Sequence, residues 1–135
     1  MNLEEKTILY VDDDADDRDL LGEIMETITP AVKIIFAENG LKALKLLEGI
    51  KNEKFRPSLI VLDLNMPYLN GIQTFERIKA DIELKSIPIV ILTSGENPAD
   101  ISFFSLQGIP YFTKPVKFSD MESLARKLTS HCESF

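Results

Sequence analysis

The sequence predicts a doubly wound α/β sandwich, in which each of five parallel strands is followed by a helix. Three observations lead there. Five short runs rich in β-branched residues recur along the chain. The first four are near-continuously apolar rather than alternating, the mark of parallel strands buried on both faces. A helical pattern follows each run, and strict βα alternation implies helices on both sides of one sheet.

The first strand is "TILYV" (7–11), followed by a helix whose apolar stripe is Leu20, Leu21, Ile24, Met25 and Ile28. Gly22 inside it reads as a packing accommodation, since an interior glycine costs up to about 1 kcal/mol. The second strand is "KIIFA" (33–37), and Leu41, Leu44 and Leu47 mark the helix after it. "SLIVL" (58–62) is the third strand, with Ile72, Phe75 and Ile78 on its helix. "PIVIL" (88–92) is the fourth. Asn97 and Pro98 then read as an N-cap with proline at the first helical position. "PYFT" (110–113) is the fifth strand, and Met121, Leu124, Ala125 and Leu128 give the last helix its stripe. Ser119 with Glu122 three residues later predicts a capping box at its start.

A chain of 135 residues suits one domain, 1–135, with its core over about 7–128 and no room for a second, DNA-reading domain. The net charge of -7 argues against a nucleic-acid surface. No apolar run approaches the roughly 20 residues needed to span a bilayer, and no signal peptide precedes the first strand. The single cysteine, Cys132, points to a reducing cytoplasm.

Doubly wound sheets bind ligands outside the carboxyl ends of their strands. There the sequence places "DDDADDRD" (12–19), six aspartates in eight positions. A calcium loop fits in part: Asp12, Asp14, Asp16 and Glu23 match the first, third, fifth and twelfth loop positions. The sixth position needs glycine, however, and is Asp17, while the preceding element is a strand rather than a helix. Acids that offset a helix macrodipole account for Asp16, Asp17 and Asp19, but not for Asp12 and Asp13 at the strand end.

The other strand ends decide between structure and chemistry. The third ends in "LDLNMP" with Asp63 at its tip, the fourth in "ILTSG" with Thr93 and Ser94, the fifth in "YFTKP" with Lys114. Three converging carboxylates without compensation would be costly. Around a hard divalent cation, with a lysine beside it, they become sensible.

With "VDD", "LDLNMP", "LTSG" and "TKP" in this order, the chain resembles a response-regulator receiver domain of bacterial two-component signalling, from about Thr7 to Leu128. The stretch "LKSIPIVILTS" is most similar to single-domain receivers related to the phytochrome-partner regulators. The resemblance implies the flavodoxin-like strand order 2-1-3-4-5 of chemotaxis-type regulators. It makes Asp63 the phosphoryl acceptor, Asp12 and Asp13 the acidic pair that holds Mg²⁺ (Asp13 directly, Asp12 partly through water), and Asn65 the residue whose backbone carbonyl completes the shell. Thr93 is the matching hydroxyl, Lys114 the matching lysine and Tyr111 the aromatic switch. The implied donor is a sensor histidine kinase or phosphotransfer protein. A downstream protein reads the signal, and the receiver is a monomer or homodimer. The "KP" pair implies a cis Lys114–Pro115 bond.

There are departures from the family pattern. Lys114 stands 21 positions after Thr93, one fewer than the commonest spacing. Pro110 before Tyr111 stiffens the switch strand, and Gly95 offers no side chain where water access is tuned. On the fourth helix, Ile101, Phe104, Ser105 and Gly108 share the side expected to face the sheet. Phe103 and Leu106 then point away as a partner face, with Phe103 as anchor.

Rival functions are a Mg²⁺-dependent phosphohydrolase, a flavin module and a phosphorylation-independent binding domain. The hydrolase lacks a second acid two residues after Asp63, where Asn65 stands. A flavin phosphate would meet six aspartates. The binding domain is disfavoured because the expected site residues are all present. His131 and Cys132 read as tail residues, and "ERIK" and "LARK" as solvated helix faces.

Overall fold

The computed structural model describes residues 6–51 and 56–132. Its ten elements alternate strictly: β1 (Lys6–Val11), α1 (Ala15–Ile28), β2 (Val32–Ala37), α2 (Gly40–Ile50), β3 (Leu59–Leu62), α3 (Gly71–Ala80), β4 (Ile89–Thr93), α4 (Pro98–Ser105), β5 (Tyr111–Thr113) and α5 (Phe118–Ser130). All strand pairs are parallel, in the order β2-β1-β3-β4-β5. The chain leaves β1 for β2 on one side and then crosses to β3 on the other. The switch point therefore lies between the carboxyl ends of β1 and β3, where such sheets form their crevice.

Alternation along the strands divides the core in two. Leu9, Val11, Ile60, Leu62, Ile89 and Ile91 face one layer, which contains Leu47, Phe75, Ile78 and Phe104 from α2, α3 and α4. Ile8, Tyr10, Leu59, Val61, Val90 and Leu92 face the other, with Leu21, Met25, Leu124 and Leu128 from α1 and α5. β1, β3 and β4 are buried along all but the first residue of β1, because both their faces are covered. β2 carries a similar apolar run, but it is an edge strand, and Lys33 and Phe36 are exposed. Continuous apolarity overstated its burial. Gly22 lets the Phe36 ring lie against α1, since a Cβ there would stand 3.0 Å from that ring.

Side-chain caps fix most helix starts. Asp14 accepts from the Asp17 N–H, Asn39 from Lys42, and Asn97 from Ala99 and Asp100 with Pro98 at the first helical position. Asn70 and Gln73 form a capping box on α3. The box expected from Ser119 and Glu122 is absent. α5 starts earlier, with Lys117 as N-cap and no side-chain cap bond, because the Lys117 carbonyl already accepts from Asp120 and Met121.

α4 also departs from expectation. Phe104 is fully buried, but Phe103 does not point away: its ring packs edge-on against Phe75 at 6.1 Å and Phe104 at 5.0 Å. Ser105 is exposed, and Gly108 lies beyond the helix at φ 71°, in the left-handed conformation that ends many helices. The helix has only eight residues, and three phenylalanines pull its neighbouring positions 103 and 104 into the same layer. Leu106 remains open, 89% exposed. Phe103→Ala should therefore cost about 2–3 kcal/mol of stability, whereas Leu106→Ala should stay within roughly 0.5 kcal/mol of the parent. Urea denaturation of both variants measures this, and equal midpoints would contradict the packing described.

Candidate phosphoacceptor site

The carboxyl ends of β1, β3, β4 and β5 each deliver polar side chains to the crevice. Asp12 follows β1 and is fully buried, with its backbone N–H donating to the Ala37 carbonyl. Asp63 follows β3, is 3% exposed, and donates its N–H to Val11. Thr93 closes β4 in full burial, and Lys114 follows β5 with its N–H bonded to the Thr93 carbonyl. Beneath Asp63 the chain turns tightly into α3. A Cβ on Gly71 would lie 2.3 Å from the Asp63 carbonyl oxygen, so only glycine allows that approach.

Hydrogen bonds aim these groups at one another. Asp63 Oδ1 accepts the Thr93 hydroxyl at 2.8 Å and the Asn65 N–H at 3.3 Å, while Oδ2 takes Lys114 Nζ at 3.2 Å. The Asn65 amide in turn donates to the Thr93 hydroxyl at 3.4 Å. Asp12 Oδ2 receives Lys114 Nζ at 2.7 Å and the Tyr10 hydroxyl at 2.5 Å, and its Oδ1 receives the Asp14 N–H at 2.9 Å. Lys114 Nζ also meets Asp17 Oδ2 at 2.7 Å. Carboxylate oxygens of Asp12, Asp13 and Asp63 lie within 4.8 Å of one another. Asp13 is exposed, and no bond among the described residues engages its carboxylate.

Electrostatics follow from this crowding. Burial, with repulsion from Asp12, raises the Asp63 carboxyl above its usual range, against the lowering effect of the Thr93 bond and of Lys114. Burial alone would lower the Lys114 ammonium. The bonds to Asp12 and Asp17 and the charge of Asp63 outweigh it, so the lysine is held more firmly protonated. Burial also raises the Tyr10 hydroxyl, helped by the Asp12 charge, and keeps it a donor.

The structure thus brings Asp12, Asp13, Asp63, Asn65, Thr93 and Lys114 together. Tyr111 stands beside them, half-buried, lining a cavity of about 180 Å³ with Asn65, Thr93, Asn97 and Asp100. Gly95 adopts φ 75°, so the turn after Thr93 itself favours glycine there. The Lys114–Pro115 bond is not cis as the resemblance implied, because no peptide bond among the described residues is cis. The trans form is the intrinsically favoured one, and from it Lys114 already reaches all its carboxylates.

Three contributors escaped the sequence reading. Tyr10 was legible in principle, since it lies two residues before Asp12 on a strand and so shares its face. Asp17 reads as one of several helix-start acids, and nothing in the local pattern ties it to Lys114. Arg18, whose Nη1 donates to the Asp12 carbonyl at 2.7 Å, carries no such signal either.

The chain is similar to known proteins over nearly its whole length. The family profile described as "Response regulator receiver domain" matches residues 8–126. The response regulator Rcp1 of Synechocystis sp. is 34% identical over 128 residues, 93% of this chain and 87% of that protein. The two-component response regulator ARR17 of Arabidopsis thaliana is 35% identical over 130 residues, covering 90% of this chain and 83% of that one. Among solved structures, the phosphorylated cyanobacterial phytochrome response regulator RcpA superposes with a TM-score of 0.83 at 29% identity, over 94% of this chain and 93% of that one. The Mn²⁺-bound form of Rcp1 gives 0.79 at 33% identity, over 93% and 92%.

Removing the Tyr10 hydroxyl leaves a buried carboxylate short of one donor. Tyr10→Phe should lower stability in the presence of chelator by about 1–3 kcal/mol, the range for a hydrogen bond to a charged group. Urea titration tests it, and an unchanged midpoint would mean the hydroxyl does not support Asp12.

Proposed function

This chain belongs to the response regulator receiver domain family, and on that premise we propose that Asp63 accepts a phosphoryl group in a Mg²⁺-dependent reaction. The observation that carries the reading is a buried carboxylate, Asp63, gripped between the Thr93 hydroxyl and Lys114 with two further aspartates at hand. The donor set is all oxygen, from carboxylates and one backbone carbonyl, which suits a hard divalent cation. Asp13, Asp63 and the Asn65 backbone carbonyl would hold Mg²⁺ directly. Asp12, whose two oxygens are already engaged, would act through water. That Rcp1, a similar protein, was solved in a Mn²⁺-bound form supports a divalent ion for this chain. When bound, the ion would neutralise charge between Asp63 and the incoming phosphoryl oxygens.

The chain's own residues account for the rest. Asp63 attacks phosphorus as a carboxylate nucleophile. A new O–P bond forms, the P–N bond of a donor phosphohistidine breaks, and its electron pair returns to the donor imidazole. Thr93 and Lys114 are placed to donate to phosphoryl oxygens and to stabilise the charge that develops there. The crevice at the end of the sheet keeps all three oriented, so no side chain must be recruited from afar.

We read the donor as a sensor histidine kinase or a phosphotransfer protein, a reading supported by the similarity to phytochrome response regulators. The output is a change in protein–protein contacts at the face beside Tyr111. There Thr93, repositioned by the phosphoryl group, would change the space open to the Tyr111 ring. Leu106, not Phe103, is the exposed apolar residue of that face. A regulatory role confines the chemistry to the protein's own phosphorylation and dephosphorylation. The lone cysteine fits a reducing cytoplasm.

Incubation with acetyl phosphate and Mg²⁺ should give a singly phosphorylated protein by intact mass, and chelator or Asp63→Asn should abolish it. Stoichiometric phosphate on the Asp63→Asn variant would place the acceptor elsewhere. Mg²⁺ should also raise the melting temperature, since a ligand that binds only the native state at about 100 times its Kd adds roughly 2.7 kcal/mol. Asp13→Ala should lose most of this shift, and an undiminished response would remove Asp13 from the ion's shell.

A further inference from the structure

Lys114 is shared unequally. Its ammonium lies 2.7 Å from Asp17 and 2.7 Å from Asp12, but 3.2 Å from Asp63, the residue to be modified. Asp12 has a second strong donor in Tyr10, whereas the only bond to the Asp17 carboxylate among the described residues comes from Lys114. Asp17 is also held in place independently, since its backbone N–H donates to the Asp14 side chain that caps α1. A fixed carboxylate from the first turn of α1 therefore reaches across to the end of β5, 97 residues away in sequence.

We propose that Asp17 is a positioning residue that holds the Lys114 ammonium toward α1 and competes with the phosphoryl group for it. The proposal rests on Asp63 being the acceptor. In the unmodified protein, Asp17 draws the lysine to the α1 side of the crevice. Once Asp63 carries a dianionic group with stronger acceptors, Lys114 must shorten its contact there and loosen the one to Asp17. Asp17 would thus slow phosphorylation and favour loss of the phosphoryl group. Its side chain is 37% exposed, so water and salt weaken the pair, and the effect is modest by nature.

The rival account is that Asp17 only offsets the α1 macrodipole, as Asp16 beside it does. Asp16 lies in the same turn and is exposed, and no bond among the described residues joins it to Lys114. Asp16→Asn and Asp17→Asn therefore make the same change in charge, and only the second releases the lysine. Two readouts decide. In metal-free protein with ¹⁵N-labelled lysine, the Lys114 ammonium resonance should shift and exchange faster with water in Asp17→Asn, and stay in place in Asp16→Asn. At saturating acetyl phosphate and Mg²⁺, Asp17→Asn should be phosphorylated about two- to fivefold faster than Asp16→Asn, the size expected of a partly exposed pair. That ratio should shrink as salt is raised.

Matching rates in the two variants would overturn the competition. An unmoved Lys114 resonance in Asp17→Asn would overturn the anchoring as well. If the parent protein takes no phosphate on Asp63, the functional reading fails and the competition falls with it, while the resonance still decides whether Asp17 holds the lysine.

Discussion

Three aspartates, Asp12, Asp17 and Asp63, converge on one ammonium at the end of the sheet, and the local fold depends on that sharing. Without Lys114 the buried Asp12 and Asp63 would face each other across the β1–β3 crevice, with Asp13 adding to the repulsion. Leaving buried charges unpaired costs several kcal/mol. Lys114 meets this cost from the far edge of the sheet, which requires β5 to register correctly against β4. The backbone bond from Lys114 N–H to the Thr93 carbonyl sets that register, so the lysine and the Thr93 hydroxyl are delivered as one unit.

The protein does not fully neutralise the site. Tyr10, the Asp14 N–H and Lys114 between them occupy both carboxylate oxygens of Asp12. Asp63 is less well served: its carboxyl is raised by burial and by Asp12, and its lysine contact is the longest of the three. Asp13 has no partner among the described residues. The charge left uncompensated is concentrated on the two residues that a divalent cation and a phosphoryl group would need. The gradient from Asp12 to Asp63 to Asp13 runs outward from core to solvent, which matches a site built to be completed from outside.

The sheet was legible in the sequence because parallel strands are continuous apolar runs, and the five runs fell within one residue of the strands observed. Burial was legible where a strand has neighbours on both sides and failed at β2, because edge position is a property of the topology and not of the run. Helix starts were legible where an asparagine cap meets proline, as at Asn97–Pro98. They failed at Ser119, where a motif with the right spacing lies two residues inside the helix. α4 misled for a different reason: with eight residues and three nearby phenylalanines, a helical projection cannot say which of two adjacent aromatics the core will take. For the site, strand ends sufficed to gather Asp12, Asp63, Thr93 and Lys114. Asp17 could not be found that way, since its contact depends on how α1 leaves β1 and on a residue 97 positions downstream.

Covalent continuity also joins the site to the face beside α4. Tyr111 opens the short edge strand β5 and Lys114 directly follows its end, and Thr93 pairs with that strand while donating to Asp63. Tyr111 touches α4 through Phe104 at 6.4 Å, and Phe104 is locked to Phe75 at 5.1 Å and to Phe103. A shift of Thr93 or Lys114 toward a phosphoryl group would therefore strain β5 first, because β5 has three residues and only β4 to hold it. The aromatic cluster beneath α4 is too well packed to follow by small adjustments, since interiors at crystal-like density rearrange in discrete steps. A short strand held on one side only thus lies between a charged site and a tightly packed aromatic layer, and under the proposed function a local change of charge would reach Tyr111 through it. In that arrangement Phe103 belongs to the packed layer and Leu106 to the surface, so which apolar residue α4 leaves exposed is set by the phenylalanines it conceals.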